Sequence, residues 1–386
     1  MSRFLLFVPL NFAAAALLAF GINWLMLIPW RRSAGAHWSE RARILWPIRQ
    51  TAAANIWLMP VCLAILEWAM NRQAPVWTCV LGGFGGMLGA IAGTYPLDRE
   101  TFPRTTFVDW RRIVMIAWAF RLVTWSIFIA CIVLMPGEVG VCGAVIAVGY
   151  LAYIFSWSLG LYVWTMQAIG ILKDPGGRLW GIVSNTARRM GLRAPGTWLM
   201  DLQRAQAFAL PITGELMFSR RLLEILSDDE VSAVCAHELA HLTESKTAKA
   251  GRVIGSLSAY PLIFLRPAMS YGPSAACAIY GLMLFWIFLA RKLSRRMESR
   301  ADKVATENQT EQGVYARALE KIYSDNLSPA VLPSQRRTHP ALYDRMLAAG
   351  VQPDYPRPAK PEAMVGWVFA VWIGFGAVIG FTLAQK

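Results

Sequence analysis

Residues 227–242 read SDDEVSAVCAHELAHL, and the fold is best read outward from this stretch. Ser227 followed three residues later by Glu230 is a capping box, with Asp228 and Asp229 adding negative charge at the positive end of the helix dipole. The pattern therefore predicts a helix beginning at 228, and the cap just upstream places the motif near the start of that helix. On a helix a step of four residues turns about 400° and rises about 6 Å. His237 and His241 then leave one face, one above the other. Two stacked imidazoles with Glu238 between them form a candidate metal-ligand pair with a carboxylate placed to polarise a bound water. The chain has only four histidines, and two of them lie here.

The surroundings are apolar. Of 386 residues, 56% are hydrophobic, more than a soluble domain usually carries. Nearly uncharged runs cover 4–28, 51–70, 76–97, 113–135, 139–166, 253–269, 272–290 and 364–384. Most reach the roughly 17–25 residues a helix needs to cross the hydrocarbon core. The 253–269 run is interrupted by Pro261 and carries Arg266 near its end, so it reads as either a kinked span or a re-entrant hairpin with its neighbour. Residues 1–28 read as a retained first span, since the apolar run is too long for a signal-peptide core.

The net charge of +14 is distributed around these runs rather than in one soluble patch. Arg31, Arg32, Arg41, Arg43 and Arg49 follow the first run, and Arg99, Arg104, Arg111 and Arg112 follow the third. Loop 71–75 has one arginine and 136–140 has none. The positive-inside rule puts the arginine-rich loops, the polar stretch 172–250 and the cluster Arg291, Lys292, Arg295 and Arg296 on the cytoplasmic side. The partners expected from this are a lipid bilayer and not nucleic acid. Trp24, Trp30, Trp38 and Trp46 gather at the first cytoplasmic boundary, as interfacial anchors do. Arg121 lies inside the fourth run. Glu67 is a poor partner for it, because the two sit about 12 Å apart in depth. The six cysteines show no metal-type spacing and read as small buried hydrophobes.

Within 172–250, Asp174-Pro175-Gly176-Gly177 is a turn, an amphipathic helix follows around 178–191, and 197–218 reads as short strands forming a small sheet or hairpin. A short helix is expected near 219–226. RKLSRRMESRADKVATE, from residue 291, has helical composition and extends the seventh run. The Pro-rich segment 353–361 reads as a linker.

A catalytic zinc takes three protein ligands and leaves a fourth position for water. His37, His339, Glu244, Glu298 and Asp302 are the candidates for the third. Glu244 shares the helix of His241, so it wraps a tetrahedron poorly. Glu298 lies on another helix with Asp302 four residues on, where one carboxylate can bind metal and the other can accept a hydrogen bond from a ligand imidazole.

HELAH followed by a distant ExxxD resembles the gluzincin metallopeptidases. The segment AFALPITGELMFSRRLLEILSDDEVSAVCAHELAHL is similar to the membrane-embedded group of HtpX and the CAAX prenyl endopeptidases, and Thr338-His339-Pro340 with Arg345 resembles that group's His-Pro element. The resemblance covers about 180–350. It implies a mainly α, polytopic membrane bundle of about seven to eight spans, with a cytoplasmic gluzincin-type zinc protease domain containing a small β-sheet. It implies one Zn2+ per chain on His237, His241 and Glu298, with Glu238 as general base. Asp302 and Arg345 would stand behind the ligands, and His339 would donate to the oxyanion. Where the family has Asn-Ala-Phe on the strand bordering the cleft, this chain has Gln206-Ala207-Phe208, the expected substrate-binding residues.

The organisation expected is a five-span region over 1–171, the first part of the protease domain over 172–250, two spans over 251–290, the second part over 291–363, and a last span over 364–386. The expected function is zinc-dependent endoproteolysis of membrane-associated, misfolded or lipid-modified polypeptides at the cytoplasmic face of a bacterial inner membrane. Two rivals stand beside it: CAAX-type processing of one lipidated peptide, and a zinc-binding scaffold or sensor with weak turnover. The intact Glu238 argues against the scaffold. Oligomeric state is not legible.

Overall fold

The computed structural model describes residues 6–70, 76–138, 140–332, 340–362, 368, 370–372 and 374. The chain divides into two compact units. The first comprises 1–112, 327–333 and 354–386; the second comprises 113–326 and 334–353.

Among the described residues, six helices are long and apolar enough to cross a membrane: Phe7–Arg32, Trp38–Met70, Trp77–Thr101, Phe107–Leu134, Val141–Ala168 and Pro273–Glu307. They correspond to six of the eight apolar runs. The 364–384 run lies largely outside the described residues. The outward faces of these helices carry large apolar side chains such as Leu17, Val80, Val145 and Phe288, each more than half exposed. A bilayer is the solvent that accepts such a surface.

In the first unit, helix Phe7–Met26 packs on helix Val76–Ala92 through glycines four residues apart. A Cβ at Gly85 would stand 2.5 Å from the Val8 carbonyl oxygen, one at Gly89 would run into that of Phe12, and one at Gly93 would stand 2.8 Å from that of Ala16. Small residues at this spacing let two backbones approach where lipid leaves no hydrophobic driving force between helices. Polar groups inside this unit are paired across helices: Asn11 Nδ2 donates to Glu67 Oε2 at 3.0 Å, and Asn23 Nδ2 to the Gly93 carbonyl at 3.0 Å. Glu67 therefore has a partner within its own unit, while the Arg121 guanidinium lies 5.1 Å from the Trp118 ring centroid. At the arginine-rich boundary Arg41 stacks over Trp30 at 4.4 Å, and Arg31 pairs with Glu100 at 2.7 Å. The Pro-rich segment is not a free linker: Tyr355 is buried against His37 and Trp38.

In the second unit the 253–269 run is not a straight helix. Helix Lys246–Ser256, a 3-10 turn Tyr260–Phe264 and helix Leu265–Ser270 follow one another. Pro261 has no N–H to continue an α-helical ladder, which accounts for the break. At its far end Ser270 Oγ reaches the Gly137 carbonyl at 3.0 Å and Arg266 Nη1 that of Val133 at 3.3 Å. The run is kinked, and all three pieces lie against the helix that follows. The next helix, Pro273–Glu307, is continuous. About 20 of its residues would fill a hydrocarbon core, so Glu298 stands roughly 9 Å beyond the membrane end of the same helix. Cys62, Cys79 and Cys235 are buried as expected, but Cys142 and Cys277 lie on the apolar outer faces.

The polar part of this unit holds a four-stranded sheet in the order β1 (Leu172–Lys173), β2 (Gly196–Met200), β4 (Glu215–Ser219), β3 (Ala207–Leu210). It is not a simple hairpin. β3 and β4 pair antiparallel, but β4 also pairs parallel with β2. That leaves β3 at the edge. The amphipathic helix Gly176–Arg189 and the motif helix Asp228–Leu242 cover the sheet around a core of Leu179, Val183, Leu216, Phe218, Leu222, Val231 and Leu239.

The capping box forms as read: Ser227 N–H donates to Glu230 Oε2 at 2.9 Å, and Glu230 N–H to Ser227 Oγ at 3.4 Å. The motif, however, is not near the helix start. Ten residues separate Ser227 from His237, and the helix ends at Leu242. HELAH occupies the last turns, where Arg300 from the long helix donates to the Ala240 carbonyl at 2.8 Å and to Thr243 Oγ1 at 3.0 Å.

Candidate metal centre

His237, Glu238 and His241 are all nearly buried, at 6%, 8% and 6% exposure. A polar triplet so enclosed has to be matched by partners or by an ion. The long helix supplies Glu298, itself 6% exposed. Its Oε2 lies 3.6 Å from His237 Nε2 and 3.7 Å from His241 Nε2. One ligand atom from each of the three lies within 4.8 Å of the others. Tetrahedral zinc with bonds near 2.0–2.1 Å spaces neighbouring ligand atoms by roughly 3.4 Å, so the donor set fits the ion in chemistry and spacing. These three residues could hold a metal.

Each imidazole has its remaining nitrogen engaged. His237 Nδ1 is 2.7 Å from the Tyr315 hydroxyl and 3.2 Å from Asp302 Oδ1. Tyr315 donates its own proton to Asp302 Oδ1 at 2.8 Å and accepts from Arg345 Nη2 at 2.7 Å. Arg345 Nε donates to Asp302 Oδ2 at 2.9 Å, and its Nη2 to Oδ1. His241 Nδ1 faces Glu244 Oε1 at 2.8 Å, and Glu244 is gripped by Arg252. Donation from both Nδ1 atoms leaves both Nε2 lone pairs directed at the Glu298 side, the tautomer that a metal requires.

The electrostatics agree. Burial works against a charge on His241, but its hydrogen bonds to the Glu244 and Glu298 carboxylates hold its pKa up at about 9. His237 is likewise raised against burial by Asp302 and Glu298. Surroundings negative enough to hold a proton on buried imidazoles also favour a divalent cation. Burial opposes ionisation of Glu244, yet Arg252 and His241 keep its carboxyl below the usual range. Burial pushes the Cys235 thiol up, out of the reactive range.

The residues expected from sequence fall as follows. His237, His241 and Glu298 converge, and Asp302 lies behind His237. Glu244, weighed as a ligand, lies behind His241. Arg345 is drawn to Asp302 and Tyr315. His339 lies outside the described residues. Gln206 precedes edge strand β3; its N–H donates to Ser219 Oγ and its carbonyl accepts from the Ser219 N–H, each at 2.9 Å. Ala207 pairs with Phe218, and Phe208 is 45% exposed. β3 runs beside the motif helix. Sequence reasoning missed Tyr315 and Arg252. No motif marks Tyr315, and its only signal is an amphipathic pattern in helix Val314–Asp325. Arg252 resembles any basic residue flanking an apolar run.

Residues 175–350 match the model of peptidase family M48. Among curated proteins, a Protease HtpX homolog from Thermoplasma volcanium is 28% identical over 177 residues, 43% of this chain and 58% of that protein. One from Trichormus variabilis is 31% identical over 144 residues, covering 34% and 47% of the two chains. One from Tropheryma whipplei strain TW08/27 is 28% identical over 211 residues, covering 50% and 72%. The chain thus spans about half the length of the first two relatives. The family match and these HtpX relatives cover the same segment that carries the buried His-His-Glu group, and over that segment the chain is similar to the HtpX-type metallopeptidases of family M48.

Proposed function

We propose that this protein is a membrane-embedded zinc endopeptidase that hydrolyses polypeptides at the cytoplasmic face of a bacterial inner membrane. The observation that carries the reading is the convergence of His237, His241 and Glu298, with Glu238 in the same buried turn. Zinc held by those three side chains would supply a Lewis acid for the scissile carbonyl and the attacking water. Glu238 takes the proton of that water and returns it to the leaving amine, with no acyl-enzyme. Asp302 and Glu244 keep the ligand imidazoles in the productive tautomer. His339 donates to the developing oxyanion.

Edge strand β3 presents Ala207–Leu210 beside the motif helix, so an extended substrate would add to the sheet by backbone hydrogen bonds. Recognition of backbone more than side chains suits membrane-associated or misfolded polypeptides. The arginine-rich boundary of the first unit and the basic cluster 291–296 support a cytoplasmic site. The test compares wild type with Glu238→Gln, both purified in detergent, for zinc content and cleavage of an unfolded reporter. Near-stoichiometric zinc in both and cleavage by wild type alone are expected. Equal cleavage would remove Glu238 as the base; zinc-free wild type would remove the site.

A further inference from the structure

The stretch after HELAH reads Leu242-Thr243-Glu244-Ser245, and then a new helix begins, capped by Ser245 Oγ on Ala248 N–H at 3.2 Å. The helix break puts Glu244 under the His241 ring, and two turns into the next helix Arg252 folds back onto it. Arg252 Nη2 donates to Glu244 Oε1 at 2.6 Å and Nε to Oε2 at 2.8 Å. The same Nη2 lies 3.1 Å from His241 Nδ1. Arginine only donates, so a protonated Nδ1 and Nη2 cannot bond each other; both converge on Glu244 Oε1. A carboxylate held at both oxygens cannot rotate, and the proton on Nδ1 is fixed with it. If Nη2 instead donated to a bare Nδ1, the proton would sit on Nε2 and block the ligand position.

The helix carrying Arg252 is the first piece of the kinked 246–270 segment, and it is seated on the helix that carries Glu298. A Cβ at Gly255 would stand 3.2 Å from Ala290 Cβ, and one at Gly251 would overlap the Leu293 side chain. That close approach fixes how far Arg252 can reach. We propose that Arg252 is a positioning residue for the metal centre: through Glu244 it sets the tautomer and ring plane of His241, and it ties that ligand to the seat of the 246–256 helix. The inference rests on the reading of His237, His241 and Glu298 as metal ligands. Lysine is a poor substitute, because one ammonium cannot grip both Glu244 oxygens in the plane of the carboxylate.

The test uses the full chain in detergent with Arg252→Ala, Arg252→Lys and Glu244→Gln. Zinc affinity is measured by chelator competition, the ligand field by the visible spectrum of the Co2+-loaded protein, and folding by thermal denaturation. Arg252→Ala and Glu244→Gln are expected to weaken zinc about 10- to 100-fold and to alter the Co2+ spectrum, as loss of outer hydrogen bonds to a ligand does. Arg252→Lys should recover only part of the affinity, and kcat should fall with KM unchanged. A purely structural role would lower the melting temperature while leaving the spectrum and affinity of the folded fraction as in wild type, and that result overturns the proposal. If Arg252→Ala does not fold, the near-isosteric Glu244→Gln decides: wild-type affinity and spectrum there overturn it. Zinc-free wild type overturns the ligand reading and this inference with it, whereas zinc-loaded wild type beside unaltered variants overturns this inference alone.

Discussion

His237 and His241 leave one helix a turn apart, and each hands its Nδ1 toward a carboxylate that an arginine holds. The two supports are built from different parts of the chain. Behind His237 stand Asp302, Tyr315 and Arg345, drawn from three helices and spread over 43 residues. Behind His241 stand Glu244 and Arg252, eight residues apart, where the helix Lys246–Ser256 begins. The first support is a tertiary network of the polar segment, closed by a buried tyrosine whose hydroxyl uses its donor and both acceptor positions. The second is local and tied to an apolar segment. The comparison teaches that the surroundings of His237 depend on the packing of the polar domain, and those of His241 on the seat of the helix that follows it.

The largest expected effect removes what both supports serve. Glu298→Ala deletes the side chain that faces both Nε2 atoms, so bound metal should be lost after dialysis, as metal analysis would show. Glu244→Ala in the same assay should weaken binding without abolishing it. Equal loss from the two variants would break the division into ligand and support.

Next comes Asp302→Ala. It removes the acceptor behind His237 and leaves the nearly buried Arg345 side chain, 8% exposed, without its carboxylate. Zinc affinity should fall about 10- to 100-fold, and stability by about 3–5 kcal/mol, the usual cost of stranding one partner of a buried ion pair. Chelator competition and denaturant unfolding measure the two separately. A stability loss with unchanged metal affinity would show the His237 support to be structural only.

The smallest effect is expected from Tyr315→Phe. The ring still packs beside His237, Asp302 keeps both Arg345 bonds, and Nδ1 remains 3.2 Å from Oδ1. The loss should be about 1 kcal/mol, or roughly fivefold in zinc affinity. A loss as large as that of Asp302→Ala would make the hydroxyl, not the carboxylate, the acceptor that matters.

Much of this was legible because it is written in local pattern. The capping box at Ser227 and Glu230 needs only four residues and one helix turn. The i, i+4 spacings of His237 with His241 and of Glu298 with Asp302 need only helical geometry. The apolar runs announce their crossings by length alone. One expectation was overturned and two were left open, each for a physical reason. The motif was placed near the helix start because a cap marks where a helix begins and says nothing of where it ends; the end is set by the Glu244–Ser245 break. The strands of 197–218 form the small sheet that was one of the two readings, but short strands carry no code for partner order, so the parallel β2–β4 pairing was not legible. The 253–269 run was left between two shapes because Pro261 marks a break but not the direction of the chain beyond it.

The sequence by itself determined the residue types and periods: eight apolar runs, a capped helix with two imidazoles on one face, and a carboxylate pair on another helix. These follow from interactions within a turn or along one helix. Only the tertiary structure decided which carboxylate meets both Nε2 atoms, that Glu244 lies at His241 Nδ1 instead, and that Tyr315 and Arg252 close the two networks. Those contacts join residues 3 to 78 positions apart. Their geometry is fixed by how helices pack, and no local spacing encodes it.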